Sequence, residues 1–137
     1  MNSSIRNVMR LFGRVLMSWI FLFISLRQIT EFTKNVNHVT AAGMPLPQLA
    51  IITSITIQLL CGLAILLGFR IQIAASLLFL LLIPVTLVLH RFWEVSPSRI
   101  QEISFFKNMA IMGGLLFVAT SDAGAYSVDA LLGFDKP

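Results

Sequence analysis

The chain has 137 residues, of which 57% are hydrophobic and 12% charged, and it carries a net charge of +4. Soluble domains carry about 25% charged residues, so a soluble globular protein is excluded, and a mean hydropathy of +0.87 places the chain in a membrane. The basic balance does not imply nucleic acid, because few acids and some flanking Arg/Lys make a membrane protein basic by default, and no basic stretch is interleaved with aromatics.

Met1 to Asn7 is polar and is expected to fray. Leu11 to Thr30 is the first predicted span, with Arg14 and Arg27 inside it. These two lie about 20 Å apart along a helix, so each can snorkel to its own headgroup layer. The basic start and the apolar core Val15 to Ser25 look like a signal peptide. No small-x-small cleavage site follows, and an uncleaved anchor is expected. Glu31 to Gln48 is a polar connection with Gly43, Pro45 and Pro47, and has room for a short interfacial helix.

Two apolar runs come next, Leu49 to Phe69 and Ile71 to Leu89, separated only by Arg70. Neither contains Asp, Glu, Lys, Arg or His. Each matches the roughly 20 residues a helix needs to cross a bilayer. They are predicted to be the second and third spans (49–69 and 71–89), joined by Gly68-Phe69-Arg70. Pro84 should kink the third, leaving neighbouring groups to satisfy the freed carbonyl. His90 to Glu102 is another polar connection, with Pro97. Residues 103–121 form the fourth predicted span, with Lys107 in its first two turns. In the tail to Pro137, Asp122, Asp129 and Asp135 are expected to be solvated. The whole chain, residues 1–137, thus reads as a single all-α integral membrane domain, a four-transmembrane-helix bundle with short loops.

Four spans put both termini on one side, and the first and third loops together on the other. The terminal side holds Arg6, Arg10, Arg14, Arg70 and Lys136, and the opposite side Arg27, Lys34, Arg91, Arg99 and Lys107. This even count does not orient the bundle. Three arginines precede the core of the first span, which usually dominates, and they favour cytoplasmic termini.

Three stripes at helical spacing should face the bundle interior: Arg14, Ser18 and Ser25; Ser54, Gln58 and Gly62; Lys107, Ala110 and Gly114. Small residues let helices approach closely in lipid. The single cysteine, Cys61, cannot form an intrachain disulfide and is expected to behave as a small hydrophobe. Gln58 sits near the middle of its run. It is either interhelical glue or a ligand contact. His90 closes the third span and opens His90-Arg91-Phe92-Trp93-Glu94, where Phe92 and Trp93 suit an interfacial aromatic belt. His90 is either part of that belt or a site residue. Arg27, Glu31, Lys34, His38 and Lys107 belong to the same end. Such a mouth suits an amphipathic molecule with an anionic or polar head, such as a quinone or a lipid. Bis-histidine haem is disfavoured because His38 lies in a predicted loop. No metal site and no nucleotide-binding or hydrolase motif is present in the sequence, and the catalytic residues stay unassigned.

Several segments resemble the DoxX family of small four-helix bacterial inner-membrane proteins. They are Gly43-Met44-Pro45-Leu46-Pro47, Gly62-Leu63-Ala64-Ile65-Leu66-Leu67-Gly68, His90-Arg91-Phe92-Trp93, Phe105-Phe106-Lys107-Asn108, Gly113-Gly114, and Gly124 followed by Ser127-Val128-Asp129. Their order and spacing carry the resemblance from Gly13-Arg14 almost to the end of the chain. The family usually has Glu where this chain has Gln58, and often Lys where it has Arg27. The first difference removes an ionisable group from the membrane. The resemblance implies an inner-membrane protein and a redox or oxidative-stress-related complex, since some relatives are subunits of a thiosulfate:quinone oxidoreductase. On that reading the chain is an accessory membrane subunit with a quinone or lipid site lined by Gln58, His90, Trp93, Lys107, Asn108 and Arg27. No intrinsic cofactor is expected, so a membrane or peripheral partner must supply electron chemistry. Self-association stays open. The alternative is a non-enzymatic scaffold, chaperone or carrier for a hydrophobic ligand.

Overall fold

The computed structural model describes residues 1–93 and 98–134, and among these all regular structure is helical. Glu94, Pro97, Asp135, Lys136 and Pro137 lie outside the described residues. Helix α1 runs Ser3–Thr30, α2 Phe32–Ala41, α3 Pro47–Leu67, α4 Ile71–Leu89, α5 Arg99–Ala119 and α6 Val128–Leu132. Helices α1, α3, α4 and α5 are long and apolar enough to cross a membrane. Their outward faces carry large apolar side chains, including Phe12, Leu16, Trp19, Leu60, Leu80 and Phe117, which is the surface that lipid covers.

Local chemistry sets the helix ends. The Asn2 side chain accepts a hydrogen bond from Ser4 N at 3.3 Å, so the polar start expected to fray is helical from Ser3. At the other end of α1 the backbone breaks at Glu31 (φ −113°, ψ 38°) and resumes as α2. His38 therefore lies on a helix, correcting its placement in a loop. Pro47 opens α3 at a position where its missing N–H costs nothing. Gly68, at φ 73°, ends α3, and Phe69 N reaches back 2.8 Å to Ala64 O. That bond closes a Schellman-type cap. Helix α4 runs uninterrupted through Pro84.

Helix α1 packs on α3, α3 on α4, and α4 on α5, while α2 leans on α3. The α1 face that turns inward is Arg14, Ser18, Phe21 and Ser25. Ser18 and Ser25 donate to the carbonyls of Val15 and Leu22 at 3.0 and 2.9 Å. Their hydroxyls are thus satisfied on their own helix, and α3 can come close: a Cβ at Gly62 would meet Leu22 at 3.1 Å. Ser54, Gln58 and Gly62 are buried on α3, as their spacing predicts. The α5 stripe is a correction at two of its three positions, with Gly114 turned inward against Met17 of α1. Lys107 and Ala110 are exposed, and the buried residues are Asn108 and Leu115. The packed face is turned toward α4, whose Thr86 receives the Asn108 side chain. The core between the four long helices is Phe21, Ile65, Ala75, Leu78 and Leu115, with Cys61 beside them.

The terminal end is tied by groups expected to be solvated. Arg14 is 4% exposed and donates to Tyr126 O, so it does not snorkel outward. Asp129 is 5% exposed rather than solvated. Its Oδ2 accepts from Arg70 N at 2.8 Å, and its own N donates to Gly68 O at 3.1 Å. A carboxylate here sits at the start of α4, where the helix dipole favours negative charge. Arg70 also stacks over Phe134 at 4.5 Å, and Arg10 pairs with the exposed Asp122. The tail thus folds back over the α3–α4 turn.

Candidate functional site

The opposite end of the bundle holds a cavity of about 550 Å³. Its walls come from α1 (Ile20, Phe21, Ile24), α3 (Ile51, Ser54, Gln58), α4 (Leu81, Leu82, Pro84, Val85) and α5 (Asn108, Ile111). Val39 of α2 and the segment Met44-Pro45-Leu46 close over it. The lining is mostly apolar, and its volume falls in the range of sites that bury a small hydrophobic molecule.

Two polar stations interrupt that lining. The first joins α1 to α3. Gln58 Nε2 lies 2.7 Å from Ser54 Oγ and 3.1 Å from Gln28 Oε1, and Ser54 Oγ donates to the same Gln28 oxygen at 3.2 Å. Gln58 is 5% exposed, and this network is its desolvation partner. The second joins α4 to α5: Asn108 Nδ2 donates to Thr86 Oγ1 at 3.1 Å. Toward the mouth, His90 Nδ1 lies 2.8 Å from Gln101 Oε1. Lys107 borders the cavity and is otherwise exposed.

Of the six residues singled out by sequence, four border this one cavity: Gln58, His90, Lys107 and Asn108. Arg27 and Trp93 do not. The Arg27 side chain is 56% exposed and pairs with Glu31 at 2.9 Å. Lys34 stands 3.7 Å from the other Glu31 oxygen. The hydrogen bond and charge of Arg27, with the Lys34 charge, hold the Glu31 carboxyl below its usual range. Trp93 packs edge-on against Phe92 and Phe105 at 5.3 and 5.6 Å. His38 lines a separate hollow with Arg91, Ser98 and Gln101, so the two histidines do not share a chamber.

Gln28 and Thr86 were missed by sequence reasoning. Each is identified by a partner on another helix, Gln58 and Asn108, and no local spacing announces it. An amide one turn from the end of an apolar helix, opposite a second amide at midspan, was the available signal.

Comparison with known proteins gives a family and relatives. Residues 9–91 match the sequence profile of the DoxX family. The chain is similar to the inner membrane protein YphA of Escherichia coli (strain K12), 27% identical over 126 residues covering 90% of each chain. It is similar to the inner membrane protein YqjF of the same organism, 30% identical over 122 residues, 89% of this chain and 90% of that one. A surfeit locus protein 4 homolog of Schizosaccharomyces pombe is 29% identical over 133 residues, 90% of this chain but 37% of its own. No solved structure matches.

Proposed function

The chain belongs to the DoxX family and is an integral inner-membrane protein, and from that premise we propose that it holds a quinone or other amphipathic lipid as a membrane subunit of a redox or oxidative-stress-related complex. The observation that carries the ligand half is the cavity of about 550 Å³, apolar throughout except at a few convergent polar side chains. An apolar chamber fits a ring or tail. The amides of Gln28, Gln58 and Asn108 fit a polar head, with Lys107 and His90 toward the mouth. Arg27 and Trp93 flank that end of the bundle and serve the surrounding interface.

The redox half rests on the family alone. Cys61 is buried beside the core and is absent from the cavity lining. The electron donor or acceptor would thus be the bound molecule, and a partner protein would supply the rest. The chain by itself is expected neither to oxidise nor to reduce added quinone. A carrier or scaffold would share the cavity and lack the redox partner.

Purification in a mild detergent, followed by mass spectrometry of small molecules and co-purifying proteins, tests both halves. The expected result is one quinone or lipid bound per chain, displaced when Ile24→Trp fills the cavity, together with a redox protein. A bound molecule with no redox partner would favour the carrier. A protein that carries nothing, and takes up neither added quinone nor lipid, would overturn the ligand site.

A further inference from the structure

The hydrogen bonds of the α1–α3 station leave two amide atoms unengaged among the described residues. Gln58 spends both N–H groups, on Ser54 and Gln28, and its Oε1 receives nothing among the described residues. Gln28 Oε1 accepts twice, and its Nε2 donates to nothing among them. Neither open atom is sealed inside the protein, because neither is among the enclosed unpaired polar atoms. Both side chains line the cavity. Between them these two lining side chains carry one carbonyl and one amino group that no described residue engages.

The same two groups stay open whichever way the paired amides are turned. Turning Gln58 over by itself would set two carbonyl oxygens against each other. Turning both over restores the network with Ser54 donating to Gln58, and exchanges the open groups: Gln28 then shows the carbonyl and Gln58 the amino group. Either arrangement leaves one acceptor and one donor unengaged.

We propose that this pair recognises a hydroxyl group on the ligand, an alcohol or phenol, in preference to a head that can only accept. A hydroxyl donates one hydrogen and accepts at its lone pairs, so it can engage both members at once. A ketone, ether or quinone carbonyl engages the amino group and leaves the buried carbonyl unpartnered, which forfeits a hydrogen bond and its desolvation cost. Of the two states of a quinone, the site thus prefers the reduced, hydroxylated one. The proposal rests on the ligand site above and specifies its head group.

The test uses the full chain in detergent with a matched pair of probes, 4-nonylphenol and its methyl ether, which differ in the ability to donate. Decylubiquinol and decylubiquinone, under anaerobic conditions, form a second pair. Affinities are read by native mass spectrometry. The phenol and the quinol are expected to bind at least about tenfold more tightly than their partners, the worth of one hydrogen bond to a buried group. Gln28→Leu and Gln58→Leu should each shrink that ratio toward one by weakening the hydroxylated probe. Gln28→Leu, at the better-exposed member, keeps the test available if Gln58→Leu does not fold. Equal binding of phenol and ether to the native protein would overturn the hydroxyl preference while leaving the cavity as a ligand site. Binding of none of the four probes would overturn the ligand site itself.

Discussion

Gly68 shows how much one position carries at the terminal end of the bundle. Its φ of 73° belongs to the left-handed region that a side chain resists. A Cβ there would also overlap the Arg14 guanidinium and Ser127. Backbone strain of about 1–3 kcal/mol and overpacking of about 1–3 kcal/mol then add. Gly68→Ala is expected to cost about 2–6 kcal/mol and to release the tail, since Asp129 N donates to Gly68 O. Gly113 is the contrast: it is helical, and nothing lies within 4 Å of a Cβ added there. Gly113→Ala should be neutral, or stabilising by up to about 1 kcal/mol. Thermal unfolding of the two variants in the same detergent checks the pair. Equal melting temperatures would refute the account of the turn. Gly68 was readable as a turn residue from its place between two apolar runs. Arg14 and Ser127 as its neighbours were not, because they lie far from it in sequence, Arg14 on α1 and Ser127 in the tail, and meet it only in the folded bundle.

Among elements, the α1–α2 corner is where charge and helix geometry meet. Arg27, Glu31 and Lys34 stand one turn apart across the break, so their pairing spans two helices. Glu31 is partly exposed, and its carboxyl is held below the ordinary range, first by the Arg27 hydrogen bond. A lowered carboxylate contributes above its unfolded pKa and loses that contribution as pH falls through the folded value. The corner should therefore hold constant from neutral pH upward and loosen on acidification below the usual Glu range. Amide exchange at Asn35, whose N donates to Glu31 O, reports it. Protection should drop with acid in the native chain, and Glu31→Gln should remove the dependence. A native profile that stays flat through that range would discard the idea. The corner also shows why elements differ in legibility. Helix α4 is marked by polar residues at both ends, Arg70 and His90, and its span coincides with its apolar run. Helix α2 is polar along most of its length, so hydropathy hides it. Helix α5 is apolar on most sides, so a stripe one position away from the packed face looked equally good. The cavity was half legible for a related reason: Gln58 and His90 stand out against apolar sequence, while Gln28 is defined by the register of α1 on α3.

At the scale of the whole molecule, the two ends do different work. The terminal end is closed by Arg14, Asp129 and the α3–α4 turn. The other end holds the cavity and its mouth. Orientation therefore decides which compartment the mouth faces. Of the cations at the terminal end, Arg6, Arg10 and Arg14 all belong to α1, and Arg10 and Arg14 bind the tail. Arg27 and Lys34 at the far end share Glu31, but acidic partners weigh little in the topology rule, and the first helix carries most of the signal. Both termini should accordingly be cytoplasmic, with the cavity mouth toward the periplasmic side. Fusing a fluorescent protein and, separately, alkaline phosphatase after the last residue gives opposite readouts of one fact. The fluorescent fusion should glow and the phosphatase fusion should be inactive. Replacing Arg6 and Arg10 with Ala should weaken that bias, because Arg14 alone then precedes the apolar core of α1. Active phosphatase with a dark fluorescent fusion would invert the bundle. The mouth, and any partner that meets the ligand there, would then belong to the cytoplasm.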